Sequence, residues 1–180
     1  MVKYIAIALG FLASVLFIFS YQLKARRSII FVNAASRVLY VLQYILLGAF
    51  LGAALDIAAF LVSLLCGLRR RGFVARHTTL LVVLSNAFVA LVGFLTYQNV
   101  FSLLAILGVV FETSALWLRR ERDIRILSLL GAPCWMAYNL AASAYGSALG
   151  NIVTIGSIII ALLRYDALKK DRGNKAPKKI

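Results

Sequence analysis

Three ionisable side chains, Arg37, Asp56 and Glu112, stand inside runs of Leu, Ile, Val and Ala. A second polar set, Trp135, Tyr138, Asn139, Asn151 and Thr154, interrupts the stretch PCWMAYNLAASAYGSALGNIVT at 133–154. An unpaired charge in an apolar medium is costly, so the first set must face an interior and find partners there. Arg37 with Glu112 is the expected ion pair, and Asp56 is the competing partner. Such a pair serves either as a permanent tie between helices or as a gate or proton-linked switch. The second set offers an aromatic plane beside amide donors and acceptors, which suits a neutral polar solute such as a sugar or nucleoside. The competing reading is packing, with Asn139 and Asn151 bonding across helices for about 0.6–2 kcal/mol each. No Ser/His set, Asp pair or metal-ligand set falls at one depth, so neither an enzyme nor a metal nor a cofactor is expected. His77, the single histidine, reads as a solvated loop residue. Cys66 and Cys134 fall inside apolar runs and suggest no disulfide framework.

The elements that must position these residues follow from composition. At 180 residues, 63% hydrophobic and 14% charged, with a mean hydropathy of +0.92, the chain has too few polar residues to coat a water-soluble body. Lipid is therefore the expected solvent. Backbone groups must then satisfy one another, which leaves helices or a closed barrel, and runs of about 20 residues without period-two alternation select helices. Seven such runs cover 4–22, 28–47, 50–68, 78–97, 99–118, 124–142 and 146–164. The first ends in FSYQLKARR without a small-x-small cleavage site, so it reads as a retained helix rather than a signal peptide.

The net charge of +14 is decided by placement. Of the 20 Lys and Arg, 18 follow the odd-numbered runs, at 24–27, 69–76, 119–125 and 164–179; Lys3 and Arg37 stand apart. By the positive-inside rule the N-terminus lies outside and the C-terminus in the cytoplasm. Tyr4, Tyr97 and Tyr145 then mark an outer aromatic belt, and Tyr21, Trp117 and Tyr165 an inner one. The basic tail reads as a solvated arm at anionic headgroups, at about 1 kcal/mol per basic residue near the surface, not as a nucleic-acid site. The partners implied are the lipid bilayer and a small-molecule solute, with a homo-oligomer left open.

Shifting the chain by 95 residues lays 5–69 on 100–164 without a gap, with 11 of 65 positions identical. Tyr40 falls on Trp135, Tyr44 on Asn139, Asp56 on Asn151, and Leu68-Arg69 on Leu163-Arg164. A shift of four runs preserves direction, so this is a parallel repeat and the run at 78–97 is its connector. The alternative is a generic seven-helix bundle whose short loops happen to align. The expected fold is thus an all-α polytopic membrane protein of seven transmembrane helices in a 3+1+3 arrangement. Its parts are a first triplet at 1–69, a connector at 70–98, a second triplet at 99–165 and a basic cytoplasmic tail at 166–180. Small residues at 48–52 and 143–147 permit tight outer turns. Trp135 and Asn151 each lie eight residues from Ser143, about 12 Å at 1.5 Å per residue, approaching the middle of a core roughly 30 Å thick. Tyr40, Tyr44 and Asp56 are the matching positions in the first half. Pro133 lacks an N–H and clashes with the carbonyl of Leu129, so a bend is expected there.

The ending PCWMAYNLAASAYGSALGNIVTIGSIIIALLRYDALKK, with the short basic loop after the first run, resembles the YgjV-type family of bacterial inner-membrane proteins. The resemblance runs over nearly the whole chain, rests mainly on Trp-x-x-Tyr-Asn, and implies a multi-pass protein of the bacterial inner membrane. More distantly the pattern is similar to the SWEET and PQ-loop superfamily, which implies two parallel three-helix repeats joined by one helix. In that group a Trp-x-x-Tyr-Gly segment is followed by an Asn in the next helix, and Trp and Asn flank a sugar. Trp135-Met136-Ala137-Tyr138-Asn139 fits with Asn for Gly, and Asn151 follows Trp135 by 16 residues. The first half departs, with Tyr40 for Trp, Asp56 for Asn and Tyr21-Gln22 in place of a Pro-Gln pair; three helix prolines are also missing. The resemblance implies a small-solute facilitator or, as with the sorting receptors of that superfamily, a non-transporting membrane receptor or partner protein.

Overall fold

The computed structural model describes residues 2–69 and 72–164. The basic tail at 166–180, Tyr165 of the inner belt, and Arg70 and Arg71 lie outside the described residues. Within them the chain forms eight helices and no strand: α1 (Val2–Gln22), α2 (Arg26–Leu47), α3 (Phe50–Gly67), α4 (Gly72–Arg76), α5 (Thr78–Leu95), α6 (Val100–Leu116), α7 (Glu121–Ala141) and α8 (Tyr145–Leu162). Each long helix falls on one of the apolar runs, and the short α4 lies in the basic connector. By length and composition α1, α2, α3, α5 and α8 can each cross a membrane. The apolar α6 has 17 residues, and α7 opens on Glu121, Arg122, Asp123 and Arg125.

The burial pattern is that of a molecule whose solvent is hydrocarbon. Phe11, Phe31, Leu61, Phe94 and Ile160 are exposed, while Asn33, Arg37, Gln43, Asp56, Glu112 and Asn139 are buried. Apolar faces gain nothing by leaving lipid, so helix contacts rest on close approach and on hydrogen bonds. Gly108 and Gly131 show the first device: a Cβ on Gly131 would come within 2.9 Å of the Gly108 carbonyl, so α6 and α7 meet backbone to backbone. Asn86 shows the second, its Oδ1 accepting from Ser114 Oγ (3.0 Å) to fasten α5 to α6.

The packing follows a closed ring. Going round it, α1 packs on α2, α2 on α3, α3 on α6, α6 on α7, α7 on α8, and α8 returns to α1. Helix α5 lies outside the ring, against α3 and α6. The hydrogen bonds of the turns recur 95 positions apart. Gly48 N–H donates to Ile45 and Ala49 N–H to the Tyr44 carbonyl; Ser143 N–H donates to Leu140 and Ala144 N–H to the Asn139 carbonyl. Gly48 (φ 69°) and Ser143 (φ 56°) are both left-handed, the conformation that closes a helix C-terminus with its last carbonyls satisfied. At the opposite face two arginines clasp the ends of α1 and α6. Arg26 on α2 donates to the carbonyls of Leu116 (2.5 Å) and Leu118 (2.8 Å), while Arg125 on α7 donates to those of Tyr21 (3.3 Å) and Leu23 (3.2 Å). The accepting carbonyls are again 95 residues apart. Arg125, which the sequence groups with the loop charges, is therefore a buried helix residue, drawn in by carbonyls that α1 leaves without an intrahelical partner.

These two left-handed positions make a paired test. Gly48 has open space where a side chain would go, so Gly48→Ala should lower stability by about 1 kcal/mol through backbone strain alone. Ser143→Gly should raise it by a similar amount. Thermal unfolding of purified protein in detergent reads both, and equal signs for the two variants would contradict the turn assignment.

Candidate functional site

All six helices of the ring contribute to one enclosed cavity. It is lined by Phe17 of α1, Arg37, Tyr40 and Tyr44 of α2, Asp56 of α3, Glu112 of α6, Trp135 and Asn139 of α7, and Asn151 of α8. Eight of the nine fall into four pairs 95 residues apart: Phe17 with Glu112, Tyr40 with Trp135, Tyr44 with Asn139, and Asp56 with Asn151. Arg37 alone has no lining counterpart, since Ala132 stands at the matching position.

Arg37 is fully buried and its guanidinium holds three groups at once. Nε donates to Asn33 Oδ1 one turn earlier on α2 at 3.2 Å, Nη1 to Asp56 Oδ1 at 2.6 Å, and Nη2 to Glu112 Oε2 at 2.9 Å. The sequence sets Asp56 and Glu112 in competition for this arginine; the planar fork has enough N–H vectors to take both. The bond to Asp56 links α2 to α3, and the bond to Glu112 crosses from α2 to α6. One cation against two carboxylates leaves the ionised cluster one negative charge in excess.

Beside this cluster the rings are stacked. Tyr44 lies between Tyr40 (centroids 6.4 Å apart) and Trp135 (6.3 Å), near parallel to both, and Phe17 meets Tyr40 edge-on at 6.2 Å. Tyr44 Oη donates to Asn139 Oδ1 at 2.6 Å, joining two residues that are each other's counterparts in the 95-residue register. Ser14 Oγ spends its proton on the Gly10 carbonyl, so the 3.0 Å contact with Tyr40 is a bond that the phenol donates. A further matched pair of bonds flanks the cavity: Gly52 N–H donates to Tyr138 Oη (3.0 Å), and Ser147 Oγ donates to Gln43 Oε1 (2.5 Å). The cavity left among these groups measures about 20 Å³, room for a water molecule and not for a sugar. Tyr44 fills the space between Tyr40 and Trp135.

Of the expected pocket residues, the structure gathers Tyr40, Tyr44, Asp56, Trp135, Asn139 and Asn151 on the cavity wall, with Arg37 and Glu112 beside them. Tyr138 and Thr154 are buried but do not line it; the Tyr138 hydroxyl is taken up at the start of α3 by Gly52. Asn151 Nδ2 and Thr154 Oγ1 are buried donors without a hydrogen-bond partner, so α8 presents unspent polar capacity next to the cavity. Phe17 and Asn33 go unnoticed in the sequence. Phe17 lies 95 residues before Glu112, so the register carries a signal for it, whereas Asn33 is marked only by its place one turn before Arg37.

Residues 4–169 match the model of the Imp-YgjV family, described as a bacterial inner membrane protein. The chain belongs to that family, and its place is the bacterial inner membrane, in keeping with its several apolar helices. No curated protein and no solved structure matches the chain.

Removing Arg37 alone strands two buried carboxylates, which should cost about 3–5 kcal/mol, whereas replacing a whole buried ion cluster by neutral isosteres is often near neutral. Arg37→Gln should therefore abolish the monodisperse peak in size-exclusion chromatography. The triple variant Arg37→Gln, Asp56→Asn, Glu112→Gln should recover most of it. Equal losses in the single and triple variants would contradict the cluster.

Proposed function

We propose that this member of the Imp-YgjV family is a facilitator or transporter of a small polar solute, sugar- or nucleoside-like in its hydrogen bonding, with its central site in the closed state. The architecture in this reading is 3+1+3: triplets α1–α3 and α6–α8 are parallel repeats, α5 is the connector, the N-terminus lies outside and the C-terminus in the cytoplasm. The recurrence of turn bonds and carbonyl clasps 95 residues apart supports the repeat, and the placement of basic residues supports the orientation. The observation that carries the reading is that four register-matched pairs, drawn from all six ring helices, converge on one cavity.

Opening that cavity means moving one triplet against the other. Arg37–Glu112 and Tyr44–Asn139 are bonds across the two triplets, whereas Arg37–Asp56 lies within the first. When the triplets part, Arg37 keeps Asp56, so its charge stays paired. Glu112 loses its cation and must be neutralised by a proton or by donors of the solute, because an isolated carboxylate in the membrane interior is costly. The same motion frees Tyr44 from between Tyr40 and Trp135 and exposes two aromatic faces and the Asn139 and Asn151 amides. This is also where proton coupling through Asp56 and Glu112 belongs.

A second reading, a non-transporting receptor or partner-binding protein of the same architecture, is favoured by the small cavity and by its bridging bonds, which suit a permanent scaffold. The two separate by experiment. Purified protein is screened by thermal shift against sugars, nucleosides, amino acids and vitamins, and hits are tested for uptake into proteoliposomes. The transporter reading expects one class to raise Tm and to be taken up, since a ligand stabilises only by binding the folded form. It expects both effects to be lost in Asn151→Ala, whose unliganded Tm should change by no more than about 1 kcal/mol equivalent. A hit that binds without uptake, or no hit in any class, overturns it in favour of the receptor.

A further inference from the structure

A second cavity, separate from the central one, lies at the end of the molecule where α3 and α6 terminate. It measures about 360 Å³ and is lined by Arg26, Arg69, Ala75, Thr78 and Arg119. It is many times larger than the central site. The three arginines come from three separate places: the first residue of α2, the segment just past α3, and the segment just past α6. Among the described residues no carboxylate lines it. Arg26 is held in place by the Leu116 and Leu118 carbonyls, which fixes its guanidinium at the wall. Arg69 is half-buried, and its Nη1 is buried without a hydrogen-bond partner. Burial and the neighbouring charge of Arg119 push the Arg69 guanidinium below its usual range.

Like charges gathered around a hollow repel, and a buried N–H with no acceptor is unfavourable. Both terms change sign when an anion enters. Guanidinium forks bind oxyanions by paired, charge-assisted hydrogen bonds, and those of Arg69 and Arg119, beside an Arg26 engaged with carbonyls, offer more donors than the two oxygens of a carboxylate accept. A phosphate group fits the donor set better. By the positive-inside placement the cavity sits at the cytoplasmic boundary, the depth of anionic phospholipid headgroups, where basic pockets between helices bind them. We propose that the Arg26–Arg69–Arg119 cavity is a phosphate-binding site, filled by a phospholipid headgroup or by a free phosphate. The proposal is independent of transport through the central cavity.

Full-length protein in phosphatidylcholine nanodiscs provides the test, with Tm measured on addition of phosphatidylglycerol to the bilayer and, in a second arm, of inorganic phosphate to the buffer. The proposal expects at least one probe to raise Tm. A response to phosphatidylglycerol alone identifies a headgroup, and a response to inorganic phosphate as well identifies a soluble occupant. Arg69→Gln with Arg119→Gln should weaken the effective probe at least about tenfold, and Arg69→Lys should weaken it less. Lys178→Gln with Lys179→Gln, which removes equal charge from the tail, should leave the response intact. If the double arginine variant fails to fold, Arg119→Gln alone serves, since Arg119 is exposed. No response to either probe, or equal weakening by the tail and cavity variants, would overturn the site.

Discussion

Taking an ion out of water costs several kcal/mol even after the surroundings relax, and this chain takes three out at one point. Among the described residues Arg37 is the cation paired with both of the others: Asp56 on the neighbouring helix and Glu112 across the ring. Much else follows from that geometry. Helices α2, α3 and α6 must meet at one depth, the cavity must lie beside the guanidinium, and the rings of Tyr40, Tyr44 and Trp135 must close over it to keep the cluster out of lipid. Of the lining residues, Arg37 is the one without a lining counterpart 95 positions away, since Ala132 stands there.

The register explains how so few polar groups close a ring of six helices. Lipid gives no hydrophobic drive for helices to associate, so the contacts depend on small residues and hydrogen bonds. Several of these bonds recur with their residues 95 positions apart, so one kind of contact is used twice. The Tyr138–Gly52 and Gln43–Ser147 bonds tie α7 to α3 and α2 to α8, and the Arg26 and Arg125 clasps, reaching from α2 and α7, hold carbonyls at the ends of α6 and α1. Tyr44 and Asn139, 95 residues apart, bond to each other. The basic cavity at the end of α3 uses the same clasp, because the Arg26 side chain that holds α6 also forms part of its wall.

The helices were legible because hydropathy reports the solvent directly: a run of apolar residues of membrane length has no other stable form, and α1 to α3 and α5 to α8 fall where those runs lie. Helical rise turns residue count into distance, so the sequence sets Trp135 and Asn151 equally far from Ser143, and both line one cavity. Side-chain direction was not legible. Counting from a turn sets Tyr138 and Thr154 level with the site, yet only contact with Gly52 shows where the Tyr138 hydroxyl is engaged. Nor does counting reveal that Tyr44 occupies the slot between Tyr40 and Trp135. The positive-inside rule counts charges by loop, so it assigns Arg125 to the cytoplasmic face and is blind to the carbonyls of Tyr21 and Leu23 that bury it. Treating Asp56 and Glu112 as rivals overlooked the reach of a guanidinium fork, which accepts partners from two directions.

The most direct test of the central cluster is a distance measured inside the bilayer. Protein labelled with ¹⁵N at the arginine guanidinium nitrogens and ¹³C at the Asp and Glu carboxyl carbons, reconstituted in lipid, can be examined by solid-state nuclear magnetic resonance dipolar recoupling. The contacts of 2.6 Å to Asp56 and 2.9 Å to Glu112 predict strong coupling of Arg37 to two carboxyl carbons, one lost in Asp56→Asn and the other in Glu112→Gln. Coupling to one carboxyl only, or coupling unchanged by either substitution, would contradict the account.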